Sequence, residues 1–379
     1  MWCPCLGALG ESRAQLLSDG GSDSKALDRR QMLRGMTATL SLAVTGCAPA
    51  VSSTHREAAQ GLAQEVMSVD LHSHPGMTRI SRTSMEGHIQ RIAKGKLKAS
   101  LFSAVADGPL LGITPQGRIY ATREPRPGEL YATTYRQIDE VKRRIASGML
   151  VRIGGQADLE TTRVQRLPGA ILAVEGGDFL ESRLDRVREA YDQGIRSIQL
   201  VHYRVNELGD IQTEPPRHGG LTPFGKDVIR EMNRLGMIVD LAHATLDAVK
   251  GAVEVSSKPM LISHTVVNVP GFSRAVSRAH ARLVTERGGV VGVFPVAFGG
   301  PGFSGFIDHI TRLADAVGID HVGVGTDMDG IPGTFVTFDD YSEWPSIPAA
   351  LLARGYGRDD VAKVIGGNFL RVFKEVAAT

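Results

Sequence analysis

Short apolar runs alternate with longer stretches of helical period along most of the chain. Eight runs have the length and β-branched content of buried strands: Glu65–His72, Lys98–Val105, Ala170–Glu175, Ser197–Val201, Met237–His243, Pro259–His264, Gly289–Phe294 and His321–Asp327. The clearest helix lies between the fourth and fifth. Thr222 is its N-cap and Pro223 its first residue; Phe224, Val228, Met232 and Leu235 then recur at helical spacing, and Gly236 stops it. Strands alternating with helices demand a parallel sheet, and eight such units close most simply into a (β/α)8 barrel of the α/β class. The rival is a doubly wound open sheet, but no glycine-rich phosphate loop follows the first strand. Segments 107–126, 299–305 and 330–340 read as rim loops, and Ser52 to Glu65 as a polar connector.

Composition narrows the class. Of 379 residues, 42% are hydrophobic and 22% charged, and the formal net charge is +2. These values exclude a disordered chain and a polytopic membrane protein, and give no electrostatic reason to expect a nucleic-acid partner. The cysteines are Cys3, Cys5 and Cys47, so the main domain has neither a disulfide scaffold nor a cysteine nucleophile. Around them, Arg29-Arg30 followed by a short apolar stretch looks like a twin-arginine export signal. Val44-Thr45-Gly46-Cys47 resembles a lipoprotein box in which Cys47 would be lipidated. The expected organisation is an export signal over 1–46, a linker over 47–64 and a barrel over 65–379, in a periplasmic or envelope-attached bacterial protein.

The strongest chemical signal is positional. His72 closes the first strand, and His74 two residues on shares its face. Glu175, His243, His264 and Asp327 close the third, fifth, sixth and eighth strands, and His202 follows the fourth. Barrel enzymes place their chemistry at these carboxyl ends. A lone histidine there is more often a hydrogen-bonded core residue, but the joint pattern suits two zinc ions sharing the Glu175 carboxylate. Gly176 and Gly177 would leave room for ions and substrate. Asp329 ranks behind Asp327, and the remaining histidines read as structural.

From Val66 to Val376 the chain resembles the membrane (renal) dipeptidase family of zinc-dependent barrels, within the amidohydrolase superfamily. The resemblance rests on Val69-Asp70-Leu71-His72-Ser73-His74, Val174-Glu175-Gly176-Gly177, the blocks from Gly220 to Gly225 and from Met232 to His243, Ile262-Ser263-His264, Gly323 to Gly330, and Gly367 to Val372. It implies that His72, His74 and Glu175 hold one zinc, and Glu175, His243 and His264 the other. It further implies that His202 polarises the scissile carbonyl and that Arg274, with Arg278 as rival, holds the substrate carboxylate. Asp327 would bind the amino group and relay the proton. The family also tends to dimers. One departure stands out: the family's first motif normally reads His-x-Asp, where this chain has His72-x-His74. The expected activity is dipeptide hydrolysis by a water bridging the two ions, its pKa lowered towards about 7. The alternatives are a related amidohydrolase acting on lactones or N-acyl amino acids, and a non-catalytic peptide-binding lipoprotein.

Overall fold

The computed structural model describes residues 50–298, 300 and 302–377. The strands are β1 (Val69–Ser73), β2 (Ala99–Val105), β3 (Leu111–Ile113), β4 (Ile119–Ala121), β5 (Val151–Arg152), β6 (Gly169–Glu175), β7 (Ile195–Gln199), β8 (Ile238–Asp240), β9 (Leu261–Thr265), β10 (Val290–Val293) and β11 (Val322–Val324). Eight pair in parallel in the order β1-β2-β6-β7-β8-β9-β10-β11. The last seam is bridged just beyond β1 and β11. Asp327 N–H donates to His72 O (2.9 Å) and His74 N–H to Met328 O (2.8 Å), a parallel bridge between Ser73 and Met328. Each of the eight expected runs overlaps one barrel strand, β7 starting two residues early at Ile195 and ending two early at Gln199. Two are trimmed: Met237–His243 to Ile238–Asp240, and His321–Asp327 to Val322–Val324. The cause is local, since His243 and Asp327 take left-handed φ values of 67° and 50° and so cannot continue the ladder.

The helix Pro223–Leu235 forms as the sequence predicts, with Thr222 accepting from Gly225 N and Gly236 at φ 73° closing its end. The stretch expected as a polar connector is different. Ser53–Glu65 is a helix, started by a reciprocal capping box between Ser52 and His55, and it buries Ala59, Leu62 and Ala63. Three apolar residues at spacings of three and one among polar neighbours supply a narrow buried stripe. The glycine- and proline-rich segment after β2 also gains structure, as the antiparallel β3–β4 hairpin.

Two apolar layers hold the barrel. Val69, Leu71, Leu101, Ile171 and Val290 fill its interior, and the carboxy-terminal helix Asn368–Ala377 seals that layer with Phe369, Val372 and Phe373. The second layer lies between the sheet's outer face and the surrounding helices, with Phe102, Leu172, Ile198 and Ile262 among its members. On β6, Ile171 and Ala173 belong to the inner layer while Ala170, Leu172 and Val174 belong to the outer. The period of two therefore sends Glu175 inward at the barrel's mouth.

The strands approach closely near the mouth. A Cβ at Gly292 would lie 1.9 Å from the backbone oxygen of Ser263 on the neighbouring strand. Gly292→Ala is expected to lower unfolding stability by about 3 kcal/mol, because backbone must shift to admit one methyl group. A urea denaturation midpoint equal to wild type would contradict this.

Candidate metal centre

Glu175 is the hub of the mouth. Its Oε1 lies 3.3 Å from His72 Nε2, 3.4 Å from His243 Nε2 and 3.7 Å from His264 Nε2. Its Oε2 lies 3.2 Å from His74 Nε2 and 3.3 Å from His202 Nε2. Asp327 Oδ1 is 3.4 Å from His74 Nε2. All seven residues expected from the strand ends therefore meet. Arg274 joins them, buried, with Nη2 3.1 Å from His264 Nε2, whereas its rival Arg278 is exposed on a helix.

The donor set fits metal cations. His74 Nδ1–H donates to Ser103 O (2.6 Å), which turns the lone pair of its Nε2 toward the centre when the ring is neutral. His72 and His74 bring their Nε2 atoms within 3.0 Å, and His243 and His264 theirs within 3.1 Å. Neutral nitrogens that both offer lone pairs repel at that spacing unless positive charge is shared between them. Two overlapping triads, His72/Glu175/His264 and Glu175/His202/His243, and a third, His72/His74/Asp327, each gather ligand atoms within 4.8 Å of one another. The titration behaviour reflects the cluster's demand for positive charge. Burial disfavours charge on His74, yet Asp327 and Glu175 raise its pKa to about 10. Burial would raise Glu175, but His202 and His72 more than reverse it and hold the carboxyl well below its usual range. His243 and His264 stay well below the ordinary imidazole value, first through burial and then through Arg274 and His72 respectively.

Behind these groups stands a set of positioning side chains that strand-end reasoning did not name. Ser263 Oγ lies 3.2 Å from His72 Nδ1 and 3.0 Å from His264 Nδ1, tying two strands' ligands together. Asp70 accepts from Thr326 N (2.8 Å), Thr326 Oγ1 (2.6 Å) and Tyr341 Oη (2.7 Å), fixing β1 against the turn that carries Asp327. Asp107 Oδ1 receives His202 Nδ1–H at 2.6 Å while its Oδ2 receives Tyr203 N–H at 3.0 Å. Asp107 lies two residues past β2, so the strand-end rule, extended to the second strand, finds it. Gln212, whose Oε1 accepts from Arg274 Nη1 at 2.5 Å, gives no comparable signal.

One expectation changes, and the ranking of Asp327 ahead of Asp329 holds. The space left by the glycines after Glu175 serves packing: a Cβ on Gly176 would meet Asp178 Oδ2 at 2.8 Å, and one on Gly177 would meet Leu208 Cδ2 at 2.7 Å. Asp329 turns away from the centre, to 2.9 Å from His88 Nε2 in an ion-pair contact, and accepts from Gly76 N at 2.8 Å.

A parallel barrel with imidazoles and carboxylates gathered at the carboxyl ends of its strands defines a metal-dependent α/β-barrel hydrolase class. The chain belongs to the membrane dipeptidase family (Peptidase family M19), whose signature matches residues 55–379. A dipeptidase of Aspergillus oryzae is 31% identical over 304 residues, covering 76% of this chain and 69% of that protein. A dipeptidase of Claviceps purpurea is 34% identical over 215 residues, 55% of this chain and only about half (51%) of that protein. An amidohydrolase from Pseudomonas aeruginosa superposes with a TM-score of 0.72 at 21% identity, covering 85% of this chain and 99% of that one. A metallo peptidase from Rhodobacter sphaeroides, liganded with a phosphinate mimic of the dipeptide L-Ala-D-Ala, gives 0.69 at 20%, with coverages of 82% and 99%. At such identities these structures establish the fold alone.

The comparisons correct the expected location. Curated relatives from Claviceps, Aspergillus and Schizosaccharomyces pombe are fungal rather than bacterial, which overturns the periplasmic lipoprotein assignment. Arg29, Arg30 and Cys47 lie outside the described residues, and among those described no helix is long and apolar enough to cross a membrane.

Ser263→Ala is expected to weaken metal binding by about 10- to 100-fold, the usual effect of removing a group that orients ligands from behind. A chelator competition titration measures this, and affinity equal to wild type would refute the orienting role.

Proposed function

We propose that this chain is a zinc-dependent dipeptidase with two ions bridged by Glu175. His72, His74 and Glu175 would hold one ion, and Glu175, His243 and His264 the other. The observation that carries this reading is the meeting of four imidazole Nε2 atoms on both oxygens of one buried carboxylate. The family membership and the dipeptidases among its relatives support it. When bound, the ions supply an acidified water and an electrophile for the scissile carbonyl.

The protein's own side chains do the rest. Arg274 receives the substrate's carboxylate through its planar guanidinium, steadied by Gln212. Burial works against charge on His202, but Asp107 and Glu175 raise its pKa. When charged, the ring donates Nδ1–H to Asp107 and would donate Nε2–H to the oxygen that gains negative charge at the reacting carbonyl. Asp327 binds the free amino group and carries a proton to the leaving amine. Recognition of both termini confines the substrate to two residues.

Purified protein is expected to hold about two zinc ions per chain and to hydrolyse simple dipeptides in preference to lactones or N-acyl amino acids. Glu175→Gln should lose the metal and at least about 100-fold in kcat/KM, more than a group behind the ligands would cost. Elemental analysis and a substrate panel check both. A metal-loaded protein that turns over lactones but no dipeptide, or a Glu175→Gln variant that keeps metal and activity, would refute the reading.

A further inference from the structure

The cavity above the metal centre is far longer on one side than a dipeptide requires. It holds about 820 Å3, the scale of a drug-sized ligand. One wall is a single face of the helix Glu129–Ala146, running from Glu129 to Arg143. Fourteen helical steps make that wall about 21 Å long, whereas an extended dipeptide spans about 7 Å. The β3–β4 hairpin and the loop 76–80 form the other walls.

The surplus space lies opposite the carboxylate anchor. In the ring of eight, β9 stands four places from β2. Arg274 follows β9, while the hairpin and this helix follow β2. A dipeptide held by its carboxylate on Arg274 therefore points its amino-terminal residue at the groove.

The groove's charges are mostly neutralised. Glu129 pairs with Arg123 (2.9 Å), Glu140 with Arg143 and Arg144, and Asp329 with His88. Two cations are exceptions. Arg136 donates only to the Thr133 hydroxyl (2.7 Å), and Arg79 has no hydrogen bond or ion pair among the described residues. Both line the cavity and both are exposed to it. Arg136 also stands at the height of the metal centre. Gln137, beside Arg136, exchanges two 3.0 Å hydrogen bonds with the backbone of Val105, and Val105 pairs in register with Glu175.

We propose that Arg79 and Arg136 form an anion subsite for the side chain of the substrate's amino-terminal residue, so that the enzyme prefers dipeptides beginning with Asp or Glu. The proposal rests on the dipeptidase reading. A carboxylate entering the groove gains charge-assisted hydrogen bonds that an amide of the same shape makes more weakly. Glu-Ala and Gln-Ala differ only in that group.

The test is steady-state hydrolysis of Glu-Ala, Gln-Ala and Ala-Ala by the zinc-loaded full chain and by an Arg79→Gln/Arg136→Gln double variant. The expected kcat/KM ratio of Glu-Ala to Gln-Ala is about ten in wild type, falling to within about twofold of unity in the variant. Because the ratio is internal to each protein, a general loss of activity or folding cancels from it. Turnover of all three peptides with no preference for Glu-Ala, or a preference that survives in the double variant, overturns the subsite and leaves the dipeptidase reading standing. No turnover of any of the three overturns both.

Discussion

Mutual repulsion among acceptor groups is the constraint on which this molecule turns. Four ring nitrogens and a carboxylate are forced together at the barrel's mouth, all but fully buried and at spacings near 3 Å. Uncompensated, such a cluster would open the barrel end, because buried lone pairs without a donor or cation are costly. The demand for positive charge shows in the raised pKa of His74 and in the guanidinium of Arg274 drawn against His264. Metal cations meet that demand and turn a structural liability into a reactive centre.

The fold withstands the strain by anchoring most of these side chains from behind, His243 Nδ1 having no hydrogen-bond partner among the described residues. Asp70 braces β1 against the Thr326 turn, and Asp240 accepts from Ser263 N (2.9 Å) and Ala242 N (3.0 Å) to brace β8 against β9. Ser263 then reaches both His72 and His264. These braces sit one layer below the mouth, between the apolar interior and the ligands, so the barrel's rigidity is passed directly to the imidazoles. The left-handed backbone at His243 and Asp327 is the local cost of turning those side chains inward, and strained residues of this kind gather at functional sites.

His74 occupies a position where the family motif normally has an aspartate, and its surroundings show how the chain adapts. Its Nδ1 is held by a backbone carbonyl, and its Nε2 faces both Glu175 and Asp327. An imidazole there removes one negative charge from the centre. Asp327 lies 3.4 Å away on that side.

How much the sequence could reveal follows from the range of each interaction. Apolar runs and helical periods are local, so the eight strands and the helix after Thr222 were legible from neighbours alone, whereas β6 is apolar on both faces and only the structure shows that Glu175 points inward. The strand-end rule placed every residue of the central cluster, because parallel strands in a ring necessarily bring their carboxyl ends together. The helix over Ser53–Glu65 escaped notice because its apolar stripe is only three residues wide. Asp107 as the partner of His202, Ser263 as a two-ligand bridge and Gln212 beneath Arg274 depend on contacts between segments distant in the chain. So does the one-sidedness of the cavity, which arises from where the β3–β4 hairpin and its following helix pack. The sequence alone thus determined which side chains converge; only tertiary packing decided what holds them still and in which direction the cavity extends, since those depend on non-local neighbours that no local period encodes.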